Sequence, residues 1–171
     1  NIWDLTEQTS GAISTTPLAT IDLANAATPT SIDAAMGYLI VGSEDGIAII
    51  DPHSGAWAER TKGWPKTLNS TATASGPILT NNDVKNVAAG FSNQPALDTR
   101  TGGYMPTFAV SYGTGADLVS VLKTEGAVYD KATTARGAAV EIVAGRLLIE
   151  ESGTLSRISP PINSITADDW T

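Results

Sequence analysis

Cysteine is absent from the 171 residues, and there is one histidine, His53. The first absence excludes a disulfide framework and a thiolate metal site. The second leaves a histidine-based metal centre with a single ligand. Charge is scarce too: Asp, Glu, Lys and Arg make up 16% of the chain, against about 25% in an ordinary soluble domain. Aromatics make up only 6%. No apolar run approaches the roughly 18 residues of a membrane-spanning helix, and no signal-peptide pattern opens the chain. No heptad pattern persists among the 16 Gly and 9 Pro, which excludes a coiled coil.

Basic residues are missing from one whole region. Residues 1–59 carry eight acids and no Lys or Arg, and residues 60–171 carry ten of each sign. The net charge of −8 therefore sits on the N-terminal third. Such a surface repels phosphate backbones and anionic lipids, so nucleic-acid binding and membrane insertion are not expected. What the chain has in abundance is hydroxyls: 22 Thr and 14 Ser, about a fifth of all residues. Apolar runs such as Tyr38-Leu39-Ile40-Val41 and Ile47-Ala48-Ile49-Ile50 need a core, so the chain is not a disordered acidic tail. The start at Asn1 and the abrupt end at Thr171 suggest a processed chain or an excerpt from a longer one.

Residues 1–35, rich in Thr, Ala and Ser, read as a lightly structured lead-in with one strand-like run, Ala19 to Leu23. Residues 36–171 read as the folded domain, with a long loop region over 58–103. In that domain Tyr38–Val41 turns through Asp45-Gly46 into Ile47–Ile50, then through Asp51-Pro52-His53-Ser54-Gly55 towards Ala56-Trp57. Asp-Gly supplies the backbone freedom of a tight hairpin. The plan recurs at Phe108–Tyr112, Leu118–Leu122 and Ala127–Tyr129, and again at Val140–Val143, Arg146–Ile149 and Thr154–Ile158. The closing glycines of the three units are Gly55, Gly126 and Gly153. Leu97-Asp98-Thr99-Arg100-Thr101-Gly102 echoes the turn at residues 50–55.

Repeated antiparallel meanders of short strands predict an all-β, propeller-like array, incomplete or part of a larger chain. A β-sandwich with several short strands is the alternative. Strands apolar at consecutive positions predict sheets covered on both faces. Sheet edges left open would invite pairing, so other protein subunits are the expected partners.

At Ile50-Asp51-Pro52-His53-Ser54-Gly55 the chain resembles the repeats of secreted β-propellers of the quinoprotein and YVTN type. The segments Asn82–Ser92 and Pro95–Gly102, with the Thr/Ser/Ala/Gly-heavy, Cys-free composition, resemble repeat-bearing structural proteins of tailed phages, especially marine ones. The second likeness implies a virion component, non-enzymatic, structural or adhesive, contacting other subunits or a host surface. The alternative reading is a secreted carbohydrate-active enzyme, with carboxylates in a cleft, or a glycan-binding propeller. Neither likeness transfers a catalytic residue or a cofactor.

Motifs for chemistry are few. His53 lies in a turn, and no Gly-x-Ser-x-Gly elbow accompanies it. Glu44, Asp45, Asp117 and Glu125 stand near strand ends and are the candidates for a glycosidase pair. Glu44-Asp45-Gly46 lacks the alternating acids of a dedicated calcium loop. Asn69-Ser70-Thr71 is a formal glycosylation sequon. The binding candidates are Trp57 and Trp64, set among basic residues at the start of the long loop, with Arg100 and Tyr104 near another turn. Indole and phenol rings stack on sugars and anchor protein interfaces. The competing role for Trp57 is to fill the space between two sheets, and for Trp64 to cover the base of the loop.

Overall fold

The structure, a computed structural model, describes residues 28–51, 56–61, 64–66, 81, 83–99, 102–114, 117–122, 128–132, 139–151, 154–159 and 161–165. It is all-β: the only helical element among them is one 3-10 turn, Ile162–Ser164. Three antiparallel meanders follow one another along the chain. The first holds β1 (Pro29–Ala35), β2 (Tyr38–Ser43), β3 (Gly46–Asp51), β4 (Ala56–Thr61) and β5 (Trp64–Lys66), in that order. The second holds β6 (Val84–Gly90), β7 (Thr107–Tyr112), β8 (Asp117–Leu122) and β9 (Val128–Ala132). The third holds β10 (Ala139–Val143), β11 (Arg146–Glu151) and β12 (Thr154–Ile158).

The middle sheet is covered on both faces. Phe108, Val110, Tyr112 and Leu122 point to one side and pack with Tyr38, Ile40 and Ile47 of the first sheet. Ala109, Val119 and Val121 point to the other and pack with Leu147 and Ile149 of the third sheet, and with Ile162 and Ile165. This explains why every residue of β7 is buried, in a strand without polar/apolar alternation. Tyr112, Ser120 and Asp130 form a hydrogen-bonded chain across β7, β8 and β9, with Tyr112 Oη 2.8 Å from Ser120 Oγ. The polar atoms of this core thus have partners, as burial requires.

The three sheets converge on their first strands. Cα atoms of β6 come within 8 Å of those of β1, β2 and β10, closer than the roughly 10 Å of ordinary face-to-face packing. Small residues permit this. A Cβ on Gly42 would lie 2.7 Å from a methyl of Val84, and one on Gly90 would lie 2.6 Å from Ile142 Cγ2. The larger side chains of Phe108, Tyr112 and Leu122 pack between the first and middle sheets.

Three strands fall where the sequence suggested none. β1 lies inside the segment read as a lead-in over 1–35, and β6, with the short β5, inside the region read as a long loop over 58–103. β1 has exposed alternate positions and few apolar residues, because its work is polar. Val87 N–H donates to Ser31 Oγ at 3.3 Å, Ala89 N–H to Asp33 Oδ2 at 2.8 Å, and Thr30 Oγ1 to the Val84 carbonyl at 2.8 Å. Side chains of β1 thus satisfy the free edge of β6, which otherwise would expose unpaired backbone. The Asp45-Gly46 turn also differs in detail: Ser43 pairs with Gly46, so the loop is Glu44-Asp45 and Gly46 begins the strand. The run at 19–23, the turn at 52–55 with His53, the sequon at 69–71, and Gly126 and Gly153 lie outside the described residues.

Candidate binding surface

The loop from Phe91 to Pro106 joins β6 to β7 and runs across the turns of both neighbouring sheets. Leu97 and Tyr104 form an isolated antiparallel bridge inside it. Asp98 N–H donates to the Gly103 carbonyl and Gly102 N–H to the Asp98 carbonyl, each at 2.8 Å. Met105 N–H donates to the Ala96 carbonyl at 2.8 Å. Gly102 takes the left-handed conformation with φ of +71°. The Asp-x-x-x-Gly pattern noticed at 98–102 therefore does close a tight turn.

Contacts to both flanking sheets hold this loop. On one side, the Tyr38 hydroxyl donates to Asp98 Oδ2 at 3.0 Å, with the carboxylate buried. A hydrogen bond to a buried charge contributes about 1.5–3 kcal/mol. On the other side, Asn163 N–H donates to Asn93 Oδ1 at 3.1 Å and Asn163 Nδ2 to the Gln94 carbonyl at 2.9 Å. Ser92 bridges to Gly145, where a Cβ would lie 2.6 Å from the Asn93 backbone nitrogen, so only glycine admits this approach. The loop is thus tied to all three sheets.

It presents an apolar face to solvent. Leu97 is 55% exposed and Tyr104 52%. Phe91 meets Tyr104 edge-to-face, with ring centroids 6.4 Å apart at 74°. That orientation sets the phenol ring without burying it. Of the four residues singled out for binding, Tyr104 therefore sits in a formed, exposed surface. Arg100 lies outside the described residues. Trp57 and Trp64 are described as strand positions only, opposite Ile50 and Thr61 respectively. Leu97, seen in the sequence only as part of the turn echo, and Phe91 were not among the binding candidates, although their place around a turn-forming Asp and Gly was the available signal.

The candidate carboxylates lie elsewhere. Glu44 and Asp45 occupy the β2–β3 turn, at the opposite end of the sheets from the Phe91–Pro106 loop. Asp117 opens β8 opposite Ala132, at the same end as Glu44, and Glu125 lies outside the described residues. Lys85 Nζ stands 2.6 Å from Asp83 Oδ1. That hydrogen bond, opposed by desolvation and aided by the charges of Asp83 and Glu44, raises the Lys85 pKa above its ordinary value. The end with Glu44 thus carries a solvated ion pair, which contributes little to stability. Among the described residues no three His, Cys, Asp or Glu side chains gather to hold a metal ion.

A second surface was not anticipated. An open cleft of about 310 Å³ on the third sheet is lined by Ala139, Val140, Glu141, Leu148 and Glu150. Glu141 pairs with Leu148, and Ala139 with Glu150, which places the two glutamates diagonally on one sheet face. Compared with family models, curated proteins and solved structures, the chain matches none.

Proposed function

We propose that the chain is a non-enzymatic structural or adhesive module that works by rigid display. The observation that carries this reading is the Phe91–Pro106 loop: apolar and exposed at Leu97 and Tyr104, yet tied by hydrogen bonds to the sheets on both sides. A loop tied this way presents its surface at a reduced ordering cost on binding. Three successive meanders converging on their first strands support the propeller-like form of the array over a two-sheet sandwich. Other protein subunits are the proposed partners. The place we propose for the module is a phage virion, on the likeness of residues 82–92 and 95–102 to tail-protein repeats.

A glycan-binding form of the same module is favoured by one observation, the exposed Tyr104 ring, because such rings stack on sugar faces. The test is a turnover assay on a panel of nitrophenyl glycosides and soluble polysaccharides, run beside calorimetric titration of the same polysaccharides. The structural reading expects no turnover. Turnover lost in Glu44→Gln or Asp45→Asn would overturn it in favour of a carbohydrate-active enzyme. Polysaccharide binding lost in Tyr104→Ala, with unchanged thermal stability, would assign the adhesive form.

A further inference from the structure

The two outer sheets each have one face packed against the middle sheet and one face turned away. Their hairpins allow these faces to be matched residue by residue. Met36-Gly37 joins β1 to β2 with φ of 48° and 80°, and Ala144-Gly145 joins β10 to β11 with φ of 49° and 72°. Both are two-residue turns with positive φ at both positions, closed by Ala35–Tyr38 and Val143–Arg146. Superposing the turns puts Ser31, Asp33 and Ala35 on Ala139, Glu141 and Val143. It puts Ile32 and Ala34 on Val140 and Ile142.

The two sets have opposite surroundings in the two sheets. On β1, Ser31 and Asp33 face β6 and accept its backbone N–H groups. On β10 the equivalent Glu141 and Val143 are exposed, and the cleft with Leu148 and Glu150 opens beside them. Conversely, Val140 and Ile142 of β10 pack towards the middle sheet, where Ile142 meets Gly90. On β1 the equivalent Ile32 is 64% exposed. The outward face of β10 therefore has the position of a face that receives a following sheet. The outward face of β1 has the position of a face that is received. Ile32, Met36 and Val143 account for three of the five exposed large apolar side chains among the described residues, the others being Leu97 and Tyr104 of the display loop.

We infer that the outward face of β10, centred on Glu141 and Val143, docks the outward face of β1, centred on Ile32, from a second copy of this chain. The contact is head-to-tail, because the two faces differ, and it repeats the packing by which β1 already covers β6. The occupant is a second copy because this chain itself presents the complementary face, in the sense that the internal junctions use. Two copies joined this way at both junctions close into a two-fold ring of their sheets; an unclosed contact would continue into a filament. The inference deepens the proposed structural role by naming the partner.

The test is the solution mass of the 171-residue chain by light scattering and sedimentation over a concentration series, with Ile32→Asp, Val143→Asp and Glu141→Lys as variants. Wild type is expected at twice the chain mass of 17.6 kDa or a higher multiple. Ile32→Asp alone and Val143→Asp alone are each expected at 17.6 kDa with an unchanged circular-dichroism spectrum. Mixed together they are expected to regain a two-chain mass, since one variant keeps an intact β10 face and the other an intact β1 face. Glu141→Lys, a charge-for-charge change at a position exposed in the single chain, serves where an apolar-to-acid variant fails to fold and is expected to weaken assembly at least tenfold. A wild-type chain of single mass at 100 μM would overturn the inference. So would an assembly indifferent to all three variants, or one that mixing does not restore. A single-mass chain without glycoside turnover would leave the structural role standing, whereas turnover would remove that role whatever the mass.

Discussion

Replacing Gly90 with alanine tests the seam on which the sheets converge. The added Cβ would lie 2.6 Å from Ile142 Cγ2, 2.7 Å from Ile142 Cβ and 3.1 Å from the Ile142 carbonyl oxygen. Two of these atoms belong to the backbone or its first side-chain carbon, so a rotamer change cannot clear them and β6 must move away from β10. Overpacking of this kind costs about 1–3 kcal/mol. Alanine regains about 0.5–1 kcal/mol of strand entropy relative to glycine, so the net loss is on the order of 1–2 kcal/mol. That corresponds to a fall in Tm of roughly 2–8 °C for a chain of this size. The assay is urea denaturation of Gly90→Ala, Ile142→Ala and the double variant, followed by tryptophan fluorescence. Ile142→Ala removes the Cγ2 contact but keeps the Cβ and the carbonyl oxygen, so it relieves only part of the clash, and the double variant is expected to be more stable than additivity by about 0.5–1 kcal/mol. Gly102→Ala supplies the control. Nothing lies within 4 Å of its added Cβ, its cost comes from φ of +71°, and it should show no coupling to Ile142. Neutral behaviour of Gly90→Ala, or strict additivity with Ile142→Ala, would refute the convergence of the sheets.

Further outcomes follow from the same geometry. Tyr38→Phe removes the donor to the buried Asp98 carboxylate and should lower stability by about 1.5–3 kcal/mol, read by urea denaturation, with faster hydrogen exchange at Gly102 and Met105. Ala144→Asn places an Asn-Gly pair in a turn whose first residue has φ of 49°, and should raise stability by about 0.5–1 kcal/mol on thermal melting. Asp33→Ala strips the cap from the Ala89 N–H and should cost about 1–2 kcal/mol, with exchange at Ala89 accelerated beyond that of Ala88, a difference that a general loss of stability would not produce. Tyr104→Ala, in contrast, removes an exposed ring and should change the unfolding free energy by no more than about 0.5 kcal/mol on urea denaturation.

The strands readable in the sequence were those whose own residues favour them. Thr107–Tyr112, Asp117–Leu122 and Arg146–Glu151 are apolar and β-branched enough to announce themselves, and glycine-bearing turns bound several of them. Ala144-Gly145 was legible as a turn because Gly alone suits the second position. Met36-Gly37, the same turn with Gly in the same place, was not, because the polar, Ala-rich residues before it do not announce a strand, whereas Val140–Val143 do. The display loop was legible only in part. Its Asp-to-Gly turn and Tyr104 stood out, but the ties that make it a surface run from Tyr38 to Asp98 and from Asn163 to Asn93, across about 60 and 70 residues.

Composition and short-range pattern determined the class of this protein: all-β, antiparallel, built of successive meanders, with acidic residues in the first third. They did so because strand propensity and turn chemistry act over a few neighbouring residues. Only the tertiary structure decided that Pro29–Ala35 and Val84–Gly90 are strands, that the sheets converge at Gly42 and Gly90, and that Ile32 and Val143 are left facing outward. β1 is polar and Ala-rich and has little reason to be a strand alone. It becomes one because Ser31 and Asp33 find backbone donors on β6, 56 residues away, whose free edge needs them as much.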